Sequence, residues 1–187
     1  SVNGTHPASA AFIDSVYQQY ADWGIDFIKN DCIGVTTSKG HPYNYVPSNI
    51  ALVSDAIKKS GRQMAYSLSP GGGDQSLNGT DEVPLAATVA NITNMYRITD
   101  DWHGGDMKYH YAVAHAMEPF IGVVGLGGDL SFPDLDMLNP YKNAKDDLDF
   151  KLQMTLWAIA RSPLKYGADI RDSSLTAEDF ALMTNPR

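Results

Sequence analysis

The alternation of two hydrophobic periodicities constrains this chain more than any other feature. Segments with apolar residues on one helical face take turns with short apolar runs that read as strands. Residues 7–23 open the series. Phe12, Val16 and Tyr20 recur at four-residue spacing, Ile13 and Tyr17 lie beside them, and Pro7 suits a first helical turn. Gly24 stops the pattern, and a strand is expected over 25–31. A loop rich in Gly, Ser, Pro and Tyr covers 34–47. Residues 48–60 read as a helix with Ile50, Val53 and Ile57 on one side, ended by Gly61. A second strand at 63–68 closes on Ser69-Pro70-Gly71-Gly72-Gly73. Next come a short helix at 84–92, a third strand at 94–99 and a helix at 107–117. The apolar run at 121–126 fits either state, and 130–138 holds a fourth strand or its polar exit. A helix over 148–160 is expected to turn Leu148, Leu152, Leu156 and Ile159 inward. A fifth strand is expected at 164–170, and Thr176-Ala177-Glu178-Asp179 resembles a capping box before a last helix.

The repeat length is roughly 30–40 residues, the size of a βα unit. That predicts an α/β fold with a parallel sheet and helices outside it. Five strands fall short of a complete barrel, which takes eight strands and about 250 residues. An open sheet or part of a barrel remains. The 187 residues are 43% hydrophobic and 19% charged, enough for a sizeable core. The 14 Lys and Arg face 22 Asp and Glu, giving a net charge of -8. Such an acid surplus argues against nucleic acid or an anionic membrane as the main partner. No apolar run has the length of a membrane span. Cys32, the single cysteine, excludes an internal disulfide. Asn-x-Ser/Thr sequons at Asn3, Asn78 and Asn91 permit a secreted or extracellular location, which is the expectation here. Ser1 and Arg187 both read as cut ends.

Chemistry in parallel α/β folds collects at the C-terminal ends of the strands. Those ends read Lys29-Asn30-Asp31, Tyr66-Ser67-Leu68-Ser69, Arg97-Ile98-Thr99-Asp100-Asp101-Trp102 and Phe132-Pro133-Asp134-Leu135-Asp136. Strands buried on both faces should be apolar, so charges there need a partner or a ligand. Two carboxylates, one ionised and one protonated, are the equipment for breaking a glycosidic bond. Trp102, Phe132 and Tyr66 could stack on a sugar face. Plainer uses stand beside each: Lys29 with Asp31 as a structural ion pair, Arg97 with Asp100 or Asp101 as a loop-fixing pair, Asp134 and Asp136 as turn caps. No phosphate-binding glycine motif occurs. The histidines at 6, 41, 103, 110 and 115 form no i,i+4 pair, and only His103 near Asp101 and Asp106 could bear on a metal. No metal and no cofactor are expected.

Five ordered segments resemble glycoside hydrolase family 27, the melibiase or α-galactosidase family: YADWGIDFIKNDC, GRQMAYSLSPG, MYRITDDW, FPDLDML and LWAIARSPLKYGADIR. The resemblance implies strands four to eight of a (β/α)₈ barrel, with strands one to three and a C-terminal β-sandwich absent from residues 1–187. It implies Asp31 as nucleophile, Lys29 as a substrate-binding lysine and Arg97 as an arginine near the 2-hydroxyl. The acid/base lies four residues after that arginine, which gives Asp101. Anchoring instead on Asp-Asp-Trp gives Asp100, because a glycine common in the similar segments is missing. Asp136 would hold substrate or the arginine, and Trp102 would line the sugar. Ser69 takes the position that reads the 2-substituent, where many α-galactosidases carry Glu. The implied activity is retaining hydrolysis of terminal α-D-galactose from an oligosaccharide or polysaccharide, weak in the 187 residues alone. N-Acetylgalactosaminidase and β-L-arabinopyranosidase activities stay open, as does an inactive carbohydrate-binding barrel. A metal-dependent sugar isomerase lacks its ligand cluster.

Overall fold

The computed structural model describes residues 2, 4, 6–31, 47–69, 89–99, 101–102, 131–139, 148–172 and 175–185. Strands β1 (Phe27–Asp31), β2 (Ala65–Ser69), β3 (Met95–Arg97) and β4 (Phe132–Asp134) form one parallel sheet in the order β1-β2-β3-β4. Each strand therefore pairs with the next in sequence, and the order never reverses. Right-handed crossovers of that kind put every connecting helix on the same face. The other face is left to become the inside of a closed wall, unlike a doubly wound sheet with its switch point.

Helices α1 (Ser9–Asp22) and α2 (Pro47–Lys59) cover the outer face of β1 and β2. The 3.6 period of α2 buries Ile50, Val53, Ala56 and Ile57, and its last turn carries Lys58 and Lys59 against the helix dipole. Tyr17 is the buried anchor of α1, with Ile13, Val16 and Tyr20 partly covered. Phe12 stays 59% exposed. Both helices stop at glycines with left-handed backbone, Gly24 at φ 77° and Gly61 at φ 72°. Alternation in the strands sends Ile28, Tyr66, Leu68 and Tyr96 into this helix-side core. Arg62 fixes the start of β1 through Asp26 and the carbonyls of Gly24 and Ile25.

A second core gathers Trp102, Leu135, Leu138, Phe150, Leu156, Trp157 and Ala160 around α3 (Leu148–Ile159). Ile98 packs against both cores. The final helix, α4 (Ala177–Met183), starts with the expected capping box: the Thr176 hydroxyl accepts from the Asp179 N–H, and the Asp179 carboxylate accepts from the Thr176 N–H. Among the described residues no helix is long and apolar enough to cross a membrane.

Two expectations need correction. Leu152 and Ile159 are 44% and 65% exposed; the inward stripe of α3 is Phe150, Gln153, Leu156, Trp157 and Ala160. Gln153 belongs to it because its side-chain oxygen accepts from the buried-edge N–H of Asn139 at 2.7 Å. A helix this apolar offers several candidate stripes, and a backbone donor selected one containing an amide. The fifth strand over 164–170 shrinks to one parallel bridge, Leu138 with Tyr166. Leu138 gives its N–H to the Lys165 carbonyl, and its own carbonyl accepts the Gly167 N–H. The ladder position before it, Asp136, spends its N–H on Asp134 and its carbonyl on Trp157. The one after it, Pro140, has no N–H to give. Neither side can extend a ladder. Most of the 84–92 helix, the 107–117 helix and the 121–126 run lie outside the described residues.

Candidate active site

Register places the strand-end residues. Lys29 lies opposite Ser67 and Asp31 opposite Ser69; Ser67 lies opposite Met95, and Arg97 opposite Asp134. Lys29, Asp31, Ser67, Ser69 and Arg97 therefore share the face turned away from α1 and α2. Within the described residues, Lys29 and Asp31 form no ion pair with each other, so the structural-pair reading loses its support. Ser67 and Ser69 are buried, whereas Lys29 and Asp31 are exposed on the edge strand.

Arg97 is the hub of the site. Its side chain is 3% exposed, and a guanidinium so placed requires anionic partners. Nη1 lies 3.2 Å from Oδ1 of Asp136, itself buried; Nη2 lies 3.2 Å from Oδ1 of Asp101 and donates to the Thr99 carbonyl at 3.1 Å. The Asp101 side chain is 72% exposed. One buried cation thus joins a buried carboxylate to a solvent-facing one. The second oxygen of Asp136 accepts the Trp102 backbone N–H at 2.6 Å, which pins the segment carrying Asp101. Asp100 lies outside the described residues.

The loop after β4 aims Asp136. Its backbone is left-handed, φ 85°, a strained state for a non-glycine residue, eased in Asp by local hydrogen bonding. Asp134 Oδ1 accepts the Asp136 N–H at 2.9 Å, so the turn-cap reading is right for that oxygen. The other oxygen of Asp134 meets Lys165 Nζ at 2.6 Å. Ser162 Oγ accepts the Leu135 N–H at 3.0 Å, and Trp157 Nε1 donates to the Asp136 carbonyl at 2.7 Å. Trp157, Ser162 and Lys165 escape a sequence reading of this site, and Asp134 is legible only as a turn cap. Lys165 had a signal: a lysine inside an apolar run, the same oddity that marks Lys29.

The aromatic platforms do not form as expected. Trp102 is buried, its ring edge-on to Trp157 at 6.5 Å between centroids. Tyr66 belongs to the helix-side core, and the Arg161 guanidinium lies over the Phe132 ring at 5.7 Å. Each ring is taken up by the protein itself. A cleft of about 380 Å³ opens between α1, α2 and the end of β1, lined by Tyr17, Tyr20, Asn30, Asp31 and Asn49 among others. It is mostly walled by helix residues; Asp31 borders it, but Arg97 and Asp136 do not. Among the described residues no three His, Cys, Asp or Glu are grouped to hold a metal ion, and His103 and Asp106 lie outside them.

A singly wound parallel sheet with carboxylates and an arginine gathered at its C-terminal end is the arrangement of a (β/α)-barrel enzyme. Residues 2–186 match the family model Melibiase_2, alpha galactosidase A, and the chain belongs to that family, glycoside hydrolase family 27. Alpha-galactosidase 2 of Arabidopsis thaliana is 28% identical over 182 residues, 97% of this chain and 40% of that protein. Alpha-galactosidase A of Cellvibrio japonicus is 27% identical over 166 residues, 89% of this chain and 38% of that protein. Among solved structures, a GH27 β-L-arabinopyranosidase from Geobacillus stearothermophilus is similar with a TM-score of 0.72 and 29% identity, covering 99% of this chain and 42% of its own. The chain thus spans about two fifths of the length of these relatives.

Proposed function

We propose that these residues carry both catalytic carboxylates of a retaining exo-glycosidase that removes terminal α-D-galactosyl groups. The observation that carries this is the Asp101–Arg97–Asp136 group on the same sheet face and strand end as Asp31. In the first step the Asp31 carboxylate attacks the anomeric carbon while the Asp101 carboxyl protonates the departing glycosidic oxygen. An ester joins sugar and Asp31. In the second step Asp101, now ionised, takes a proton from water; the water oxygen bonds to the anomeric carbon, and Asp31 leaves as carboxylate. Arg97 holds Asp101 in place, and Asp136 balances the arginine so that its charge is shared between two acids. Asp101 is chosen over Asp100 because its contact with Arg97 sets its geometry. Lys29 and Ser69 flank the nucleophile and would meet the sugar hydroxyls.

We read the 187 residues as the later part of a longer catalytic barrel, so full turnover belongs to the longer chain that carries them. The similarity to a β-L-arabinopyranosidase favours that activity as the second reading, as does Ser69. The test is hydrolysis by the longer chain of aryl α-D-galactopyranoside, α-N-acetylgalactosaminide and β-L-arabinopyranoside, each with an Asp31→Asn control. Cleavage of the first, lost in the control by about three orders of magnitude or more, is the expected result. Cleavage of none by folded protein would overturn the proposal in favour of a binding scaffold.

A further inference from the structure

We propose that Lys165 is a positioning residue for the Arg97–Asp136–Asp101 group and acts through Asp134; this rests on the glycosidase reading of that site. Asp134 is fully buried, with 1% of its side chain exposed. Lys165, 34% exposed, reaches it from the segment that bridges Leu138, and the Lys165 carbonyl accepts the Leu138 N–H at 2.6 Å. The ammonium at 2.6 Å occupies one Asp134 oxygen, which fixes the rotation of the carboxylate. The other oxygen is thereby aimed at the Asp136 N–H. That bond holds Asp136 in its left-handed conformation. From there the carboxylate of Asp136 divides between Arg97 and the Trp102 N–H. Arg97 in turn holds Asp101. Four contacts in series therefore run from a half-exposed lysine to the proposed acid/base, every intermediate member buried. A charge-assisted bond to a backbone donor at a strained residue is stronger than a neutral one, so the carboxylate of Asp134 stiffens the chain of contacts.

The competing role is neutralisation: a buried carboxylate needs a cation whatever it positions. The two roles differ when both charges are removed. Lys165→Met keeps the aliphatic stem; Asp134→Leu with Lys165→Met removes the ion pair and also the acceptor for the Asp136 N–H. Positioning predicts a kcat lower by about 10- to 100-fold in Lys165→Met with KM within about threefold, since small misplacements of reacting groups cost rate. Lys165→Arg should recover most of the rate. The double variant should regain folding stability and remain slow. A folded Lys165→Met with unchanged kcat, or a double variant with restored kcat, overturns the proposal. The near-ultraviolet circular dichroism of the Trp102–Trp157 pair reads the same geometry without turnover, because Asp136 bonds both residues. The band should change in Lys165→Met and in the double variant; an unchanged band in both overturns the proposal. If the unsubstituted chain cleaves none of the three glycosides, the glycosidase reading fails by itself, and the dichroism still decides the role of Lys165.

Discussion

Asp101 and Asp136 touch the same arginine, yet one is solvent-facing and the other buried, and that difference separates their uses. A residue that gives up and regains a proton each cycle needs contact with water; one that only balances charge does better without it. Asp101→Asn should therefore slow hydrolysis of glycosides with poor leaving groups by about 10²-fold or more and activated aryl glycosides far less, while Asp136→Asn should slow both alike. A leaving-group series for the two variants is the measurement, and equal slopes would remove Asp101 from the acid/base role. Asp136 carries a second constraint. Its backbone angle, φ 85°, is one that Asn or Gly also adopts readily but alanine does not. Asp136→Ala should thus destabilise the fold by about 1 kcal/mol or more beyond the loss of the ion pair, read as a lower urea midpoint than that of Asp136→Asn.

The elements divide by how local their causes are. The order of α1, β1, α2 and β2 is readable in the sequence because each element carries its own period and both helices stop at a glycine. The Thr176 capping box is equally local, and Thr176→Ala should cost about 1 kcal/mol in urea unfolding. The stripe of α3 is not local: Gln153 is drawn inward by a backbone donor from the loop after β4. The short fifth strand is not local either, since the Asp136 groups that would lengthen it are spent on Asp134 and Trp157, while Pro140 has no N–H. The site divides likewise. Strand-end charges mark Asp31, Arg97 and Asp136, but the link from Lys165 to Asp134 joins segments far apart in the chain, and no spacing rule reveals it. Tyrosines report on the helix-side core. Burial, with Tyr20 close by, pushes the Tyr17 phenol up to about 12, and burial also raises Tyr96. Native structure thus favours the protonated phenols. Their contribution to stability is full below the ordinary tyrosine value and is lost as pH rises from about 10 toward 12. Ultraviolet titration should show these two tyrosines ionising only at higher pH than the exposed ones, with stability falling over that range; a single common transition would contradict it.

Among the described residues, some of the exposed large apolar side chains lie next to the first and last strand segments: Trp23 and Phe27 at the β1 side, at 67% and 51% exposure, and Leu164, two residues before the bridging Tyr166, at 56%. A sheet closed by further strands would cover the first and last strands together, in keeping with the proposed longer barrel. Trp23 gives the readout: its fluorescence should be open to acrylamide quenching in the 187 residues alone and shielded in the longer chain. Equal quenching in both would count against that closure. The two hydrophobic clusters share only Ile98 among the described residues and are otherwise joined by the β3–β4 ladder and the polar site, which has a consequence of its own. Arg97 stands on the strand of one core, and Asp136 on the loop of the other. Amide hydrogen exchange should then report two cooperative units rather than one, with the Trp102 amide exchanging at the rate at which they part. The pairing of Arg97 with Asp136 would be lost as the β3–β4 ladder opens, with β1 and β2 still covered by α1 and α2, so heat should silence the site before it melts the helix-side core.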